Sequence, residues 1–286
     1  MQPIESQLSL GKERNRPIKN KITTWFQKSK KMKQTKPFFL LLVSIYFLVS
    51  ACQTQQTESV AQNKPNKEEA KPDPLRTDFA YLKRYSPYNK FIAARAKGEN
   101  RVVFMGNSIV EGWVNADSTF FLENKFIGRG ISGQTSPQML LRFRQDVIDL
   151  QPKVVIINAG TNDIAENTGP YDADYTFGNI VSMAQLALAN GITPVLSSVL
   201  PASDFPWRKD FGNPSVKILP LNKRIKAYAE RHNLVYLDYN TALTNDIGGM
   251  NPDLAADGVH PTLKGYKIME GLAKAAIEDA LEGIYF

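Results

Sequence analysis

Val154-Val155-Ile156-Ile157 is apolar at every position, so a strand built from it has two faces to cover. This feature limits the fold more than any other. Strands of this kind sit inside parallel sheets with helices packed on both sides. The rest of the chain can supply such a sheet. Short β-rich runs at Arg101–Met105, Lys125–Ile127, Val154–Asn158, Thr193–Ser198 and Leu234–Asp238 alternate with helical patterns at Pro137–Leu150, Tyr175–Asn190, Ser215–His232 and Thr262–Leu281. Asn190-Gly191 closes one helix before its strand, and Pro261-Thr262 opens the last. The pattern predicts an α/β fold, a three-layer α/β/α sandwich with a central, mostly parallel five-stranded sheet. The folded domain is expected to run over residues 79–286. In such sheets chemistry gathers beyond the carboxyl ends of the strands.

Polar segments stand at those ends. Gly106-Asn107-Ser108-Ile109 follows the first strand, a glycine stretch ending in Gly133 follows the second, and Ala159-Gly160-Thr161-Asn162-Asp163 follows the third. Asp257-Gly258-Val259-His260-Pro261 lies near the end of the chain. Together they offer a hydroxyl, a backbone amide, a carboxamide and an Asp/His pair, which suits acyl transfer. A serine at neutral pH needs a base within hydrogen-bond reach. His260 can take the Ser108 proton, and Asp257 can fix the tautomer of its ring and stabilise the imidazolium. The amides of Ser108 and Gly133 and the side chain of Asn162 can form an oxyanion hole. Taken singly, Ser108 reads more readily as a helix N-cap, and Asn162-Asp163 can be simple turn residues; four such segments in order favour catalysis.

In these segments the chain resembles the SGNH superfamily, the GDSL esterases and lipases. Its four named residues are a Ser in a G-D-S block, a Gly, an Asn in G-x-N-D and a His in D-x-x-H. They correspond here to Ser108, Gly133, Asn162 and His260, with Asp257 completing the triad. The resemblance covers about residues 100–270. It implies a flavodoxin-like SGNH-hydrolase fold, a cofactor-free serine hydrolase, Ser108 as nucleophile, and oxyanion roles for Gly133 and Asn162. The sequence departs from the pattern at Asn107, where the family usually has Asp. That Asp is not the triad acid, so activity is expected to survive.

Gly128-Arg129-Gly130-Ile131-Ser132-Gly133 also matches G-x-G-x-x-G, a dinucleotide-binding fingerprint. That use requires the first βα turn of the unit and an acid at the end of the next strand. The motif follows the second strand, and the next strand ends in Asn158-Ala159-Gly160. A nucleotide cofactor is therefore not expected, and Gly133 is assigned to the oxyanion hole. Two histidines and a single cysteine do not suggest a metal site. His232, at the end of a charged helix, reads as structural, and Asp163 as a loop anchor. Trp207, in the loop after the fourth strand, can line the substrate cleft or pin its loop. Trp113 reads as helix packing or pocket rim.

The net charge of +7 is misleading, because ten Lys and Arg residues against two Glu lie within residues 1–36. The remainder is nearly neutral, which does not favour nucleic-acid binding. Phe38–Val49 is an apolar run preceded by lysines and too short to span a bilayer, which needs ~20 residues. It reads as a secretory signal over residues 1–52, with Met32 as a candidate start. Val49-Ser50-Ala51-Cys52 resembles a bacterial lipobox, with Cys52 as the lipidated residue. Residues 53–78, rich in Gln, Lys, Glu and Pro, read as a disordered tether. Gln53 suits outer-membrane sorting. These features imply a membrane partner through a lipid anchor, in the cell envelope at its periplasmic or surface face.

The resemblance and this location imply hydrolysis of short acyl esters, acetyl above all, on carbohydrates. A thioesterase or lysophospholipase is the alternative within enzymes, and a non-catalytic glycan-binding lipoprotein the alternative outside them. The sequence carries no signal for oligomeric state or for the natural ester.

Overall fold

Apolar residues that alternate between two faces build the centre of the molecule. The computed structural model describes residues 77–92, 99–208 and 210–283. The expected signal sequence, Met32, Cys52 and the tether up to residue 76 lie outside the described residues. Strands β1 (Val102–Gly106), β2 (Phe126–Gly130), β3 (Val154–Ile157), β4 (Thr193–Ser197) and β5 (Val235–Leu237) form one parallel sheet in the order β2-β1-β3-β4-β5. This is the predicted α/β fold with a five-stranded sheet, and the order is the flavodoxin-like one.

The helices are α1 (Ser86–Asn89), α2 (Ser108–Ala116), α3 (Ser118–Asn124), α4 (Ser136–Asp146), α5 (Thr161–Ile164), α6 (Ala173–Ala189), α7 (Ser215–Arg231), α8 (Tyr239–Leu243) and α9 (Leu263–Glu282). On one face of the sheet, Val103, Met105, Val155, Ile157 and Leu196 meet Met139 and Phe143 of α4, Ile180 and Met183 of α6, and Ile218 and Leu221 of α7. On the other, Val102, Phe104, Val154, Ile156 and Val195 meet Trp113 of α2, Phe120 and Phe121 of α3, and Met269 and Ala273 of α9. Successive strand residues thus feed opposite cores, as the two-residue period of a strand requires. Trp113 is buried, stacked on Phe120 at 5.2 Å and on Tyr266 at 5.5 Å. Of its two expected roles, it fills the packing one.

The second strand differs from expectation. It runs on through Gly128-Arg129-Gly130, so the first two glycines of the fingerprint lie inside a strand and not in a turn. A Cβ on Gly128 would fall 2.3 Å from Val114, and one on Gly130 would fall 2.2 Å from the backbone nitrogen of Glu111. The missing side chains let α2 lie directly on β2. Gly133 alone belongs to the loop.

The expected helix Pro137–Leu150 is α4 followed by a separate 3₁₀ turn at Ile148–Leu150. Helices α1, α3, α5 and α8 were not expected, while α2 is the helix that the N-cap reading of Ser108 and the packing reading of Trp113 imply. All are short, and α2, α3 and α8 begin on side-chain caps, from Asn107, Asp117 and Asp238.

Candidate active site

Chain order changes direction beside β1, which pairs with β2 on one side and β3 on the other. A crevice opens at such a switch point beyond the strand ends. Ser108 comes from the end of β1, Gly133 from the loop after β2, and Asn162 from α5 after β3.

Ser108 is the first residue of α2, and the cap is its neighbour: Asn107 Oδ1 accepts from Ile109 N at 3.0 Å. The Ser108 side chain is therefore not the cap. Its Oγ lies 2.8 Å from His260 Nε2. The residue that departs from the family pattern does capping work that Asp would also do. Its amide Nδ2 is buried with no hydrogen-bond partner among the described residues.

His260 and Asp257 meet because the turn between them is tightly wound. Asp257 Oδ1 accepts from Val259 N at 3.0 Å and from His260 N at 2.8 Å, while Asp257 Oδ2 stands 2.7 Å from His260 Nδ1. Gly258 has φ +81°, a left-handed conformation that allows the backbone to double back here. Burial alone would raise the Asp257 carboxyl. The hydrogen bonds from His260 and Val259 outweigh it and hold the group below the ordinary carboxylate range. Ser108, His260 and Asp257 thus form a continuous hydrogen-bonded line.

The loop carrying Gly133 is fixed from the side of β3. Asn162 Nδ2 donates to Gln134 O at 2.9 Å, and Asn167 Nδ2 donates to Gly133 O at 3.1 Å. Asp163 accepts from Ser136 N at 3.0 and 2.9 Å and from Ser136 Oγ at 2.5 Å. Its carboxyl is raised by burial, against the opposing effect of the Ser136 bonds. Asp163 is thus a loop anchor. Asn162 Nδ2 has two protons and gives one to Gln134, so a second remains for a ligand oxygen.

Trp207 fills the loop-pinning one of its two expected roles. Its ring stacks on Phe205 at 5.2 Å, which pins the loop, and stands 6.1 Å from the His260 ring. His232 lies apart, at the C-terminus of α7 with its ring 4.2 Å from that of Tyr228.

The model of the GDSL-like lipase/acylhydrolase family matches residues 104–268, more than half of the chain. The chain belongs to this family. A crystal structure of a GDSL-like lipase from Bacteroides thetaiotaomicron VPI-5482 is 55% identical, with a TM-score of 0.70, and the match covers 71% of this chain and 100% of that one. The acetylxylan esterase of Geobacillus stearothermophilus is 25% identical over 185 residues, covering 62% of this chain and 83% of the esterase. The uncharacterized lipoprotein YqeF of Bacillus subtilis (strain 168) is 37% identical over 93 residues, 31% of this chain. The match spans only 38% of that lipoprotein's own length. As a member of the GDSL-like family, the protein is an enzyme, a hydrolase of the esterase and acylhydrolase kind.

Sequence reasoning missed the supports of this site. Gln134 holds Asn162 through its carbonyl and Arg142 through its side chain, at 2.6 Å from Arg142 Nε. Neither residue has a signature, because Gln in a loop and Arg on an amphipathic helix are ordinary solvent-facing types.

Proposed function

We propose that the protein is a lipid-anchored serine esterase that removes short acyl groups, acetyl first, from carbohydrates. Ser108 Oγ attacks the ester carbonyl as His260 Nε2 takes its proton, and Asp257 orients the ring and stabilises its charge. The oxyanion of the tetrahedral intermediate is met by the amides of Ser108 and Gly133 and by Asn162 Nδ2. The intermediate collapses to an acyl-Ser108 ester as His260 returns the proton to the departing alcohol. Water, deprotonated by His260, then releases the carboxylic acid and frees Ser108. No cofactor is required.

One observation carries this: the line of contacts at 2.8 and 2.7 Å from Ser108 through His260 to Asp257. The similarity to an acetylxylan esterase favours an acetylated sugar as substrate. The similarity to a lipoprotein, with the motif at Val49–Cys52, favours attachment through Cys52 at the outer membrane, residues 53–78 tethering a catalytic domain over 79–286.

A panel of p-nitrophenyl esters from acetate to palmitate, assayed beside acetylated xylooligosaccharides, tests it. Acetate should be the best aryl ester, and Ser108→Ala should lose at least ~10³-fold in kcat. Activity rising toward palmitate would instead support a lysophospholipase-type enzyme. Equal inertness of wild type and Ser108→Ala on every ester would end the enzymatic assignment of Ser108.

A further inference from the structure

Deacylation chemistry dictates where the alcohol half of the substrate lies. The leaving oxygen must come within hydrogen-bond reach of His260 Nε2, which protonates it. The sugar therefore extends from the His260 side of the site. Trp207, with its ring centroid 6.1 Å from that of His260, is also one wall of a cavity of about 550 Å³ lined by Glu166, Arg208, Asp210, Phe211 and Lys217. We infer that this cavity is the subsite for the sugar bearing the ester. The inference rests on the carbohydrate-esterase proposal and deepens it.

The lining is built rather than incidental. Arg208 donates to Ala165 O at 2.7 Å and to Glu166 Oε2 at 3.1 Å, while Lys217 reaches Glu166 Oε1 at 3.4 Å and lies 4.2 Å from the Phe211 ring centroid. Glu166 holds φ +60°, a conformation seldom adopted by residues other than glycine and often found at ligand sites. The next residue, Asn167, donates to Gly133 O, so the cavity wall and the Gly133 loop belong to one hydrogen-bonded unit.

The chemistry of the lining selects its occupant. Two cations face two carboxylates, and Glu166 already pairs with both cations, so no surplus positive charge remains for a phosphate or carboxylate. An acyl chain would bury these polar groups without partners, at a cost in free energy. A sugar ring suits them: its C–H face can lie on Trp207, which is pinned on Phe205 yet 42% exposed. Its hydroxyls then find donors in Arg208 and Lys217 and acceptors in Glu166 and Asp210.

The experiment compares wild type, Trp207→Ala, Trp207→Phe and Glu166→Gln on p-nitrophenyl acetate, which has no sugar, and on acetylated xylooligosaccharides. The ratio of kcat/KM for sugar ester to aryl ester should fall about tenfold in Trp207→Ala, the change expected for ~1.4 kcal/mol of binding, mainly through KM. Trp207→Phe, which keeps a ring against Phe205, should recover most of the ratio, and Glu166→Gln should lower it. Free xylotetraose should inhibit aryl-ester hydrolysis competitively in wild type and weakly in Trp207→Ala. If wild type deacetylates the sugar and the ratio is the same in all variants, the subsite is refuted while the carbohydrate assignment stands. If wild type cleaves the aryl ester but no sugar ester, that assignment fails and the subsite with it.

Discussion

Arg142 is fully buried, and its guanidinium binds four groups around the site. Nε donates to Gln134 at 2.6 Å, Nη1 to Asp146 at 3.0 Å, and Nη2 to the carbonyls of Gly106 and Arg129, each at 2.9 Å. Gly106 is two residues before Ser108, and Gln134 follows Gly133, so one side chain ties the nucleophile's strand to the Gly133 loop. Arg142→Met strands the Asp146 carboxylate in the interior and should destabilise the protein by roughly 3–5 kcal/mol. Arg142→Met combined with Asp146→Leu should recover part of that loss, because the stranded carboxylate is gone, but not all, because the two carbonyls stay unbridged and buried Arg129 loses the Asp146 charge near it. Urea midpoints of the three proteins check this. A double variant no more stable than the single would show that Asp146 is not what makes Arg142 costly to remove. The residues that could be named from sequence are those whose chemistry is announced within a few positions, as in Gly106–Ser108 or Asp257–His260. Arg142 could not, since only the fold shows that its place on α4 faces backbone carbonyls.

At the scale of elements, the sheet was legible because strands covered on both faces must be apolar on both faces, and Val154–Ile157 is. The short helices α1, α3, α5 and α8 were not, because a helix of one or two turns is held by its ends and by packing more than by periodicity. The end of β2 was misjudged for a related reason. The strand continues past Ile127 through Gly128 and Gly130, whose absent side chains admit α2. Gly130→Ala puts a Cβ 2.2 Å from Glu111 N and 2.6 Å from Asn107 O, both backbone atoms that cannot turn aside. α2 must then lift from the sheet, and Ser108, its first residue, moves with it. Gly130→Ala should cost about 2–3 kcal/mol and lower kcat on p-nitrophenyl acetate. Gly178→Ala, inside α6 with nothing within 4 Å of the new Cβ, is the control and should be neutral or stabilising by up to ~1 kcal/mol. Equal losses in the two would remove close packing as the reason for Gly130.

At the scale of the molecule, the catalytic domain is joined to its proposed anchor through residues 77–92, and this segment is bonded closely to the site's supports. Gln138 and Gln134 donate to the carbonyls of Phe79 and Ala80 at 2.7 and 2.8 Å, and Gln145 to that of Leu82 at 2.7 Å. Tyr85 donates to Gly130 O at 2.5 Å, and its ring lies 4.7 Å from the Arg129 guanidinium. Sequence patterning does not reveal this attachment, because it is made largely through backbone carbonyls that any residue carries. If Cys52 is the anchor and residues 53–78 only a tether, Cys52→Ala should shift activity from the membrane fraction to the soluble one with kcat/KM unchanged. A chain starting at Thr77 should match it in stability and in rate. A chain starting at Glu99 loses the four hydrogen bonds above and, at about 1 kcal/mol for each, should lose roughly 3–5 kcal/mol of stability, with activity falling as Gln134 comes loose from Ala80. Equal urea midpoints for the two shortened chains would make residues 77–92 an extension of the tether and not part of the enzyme.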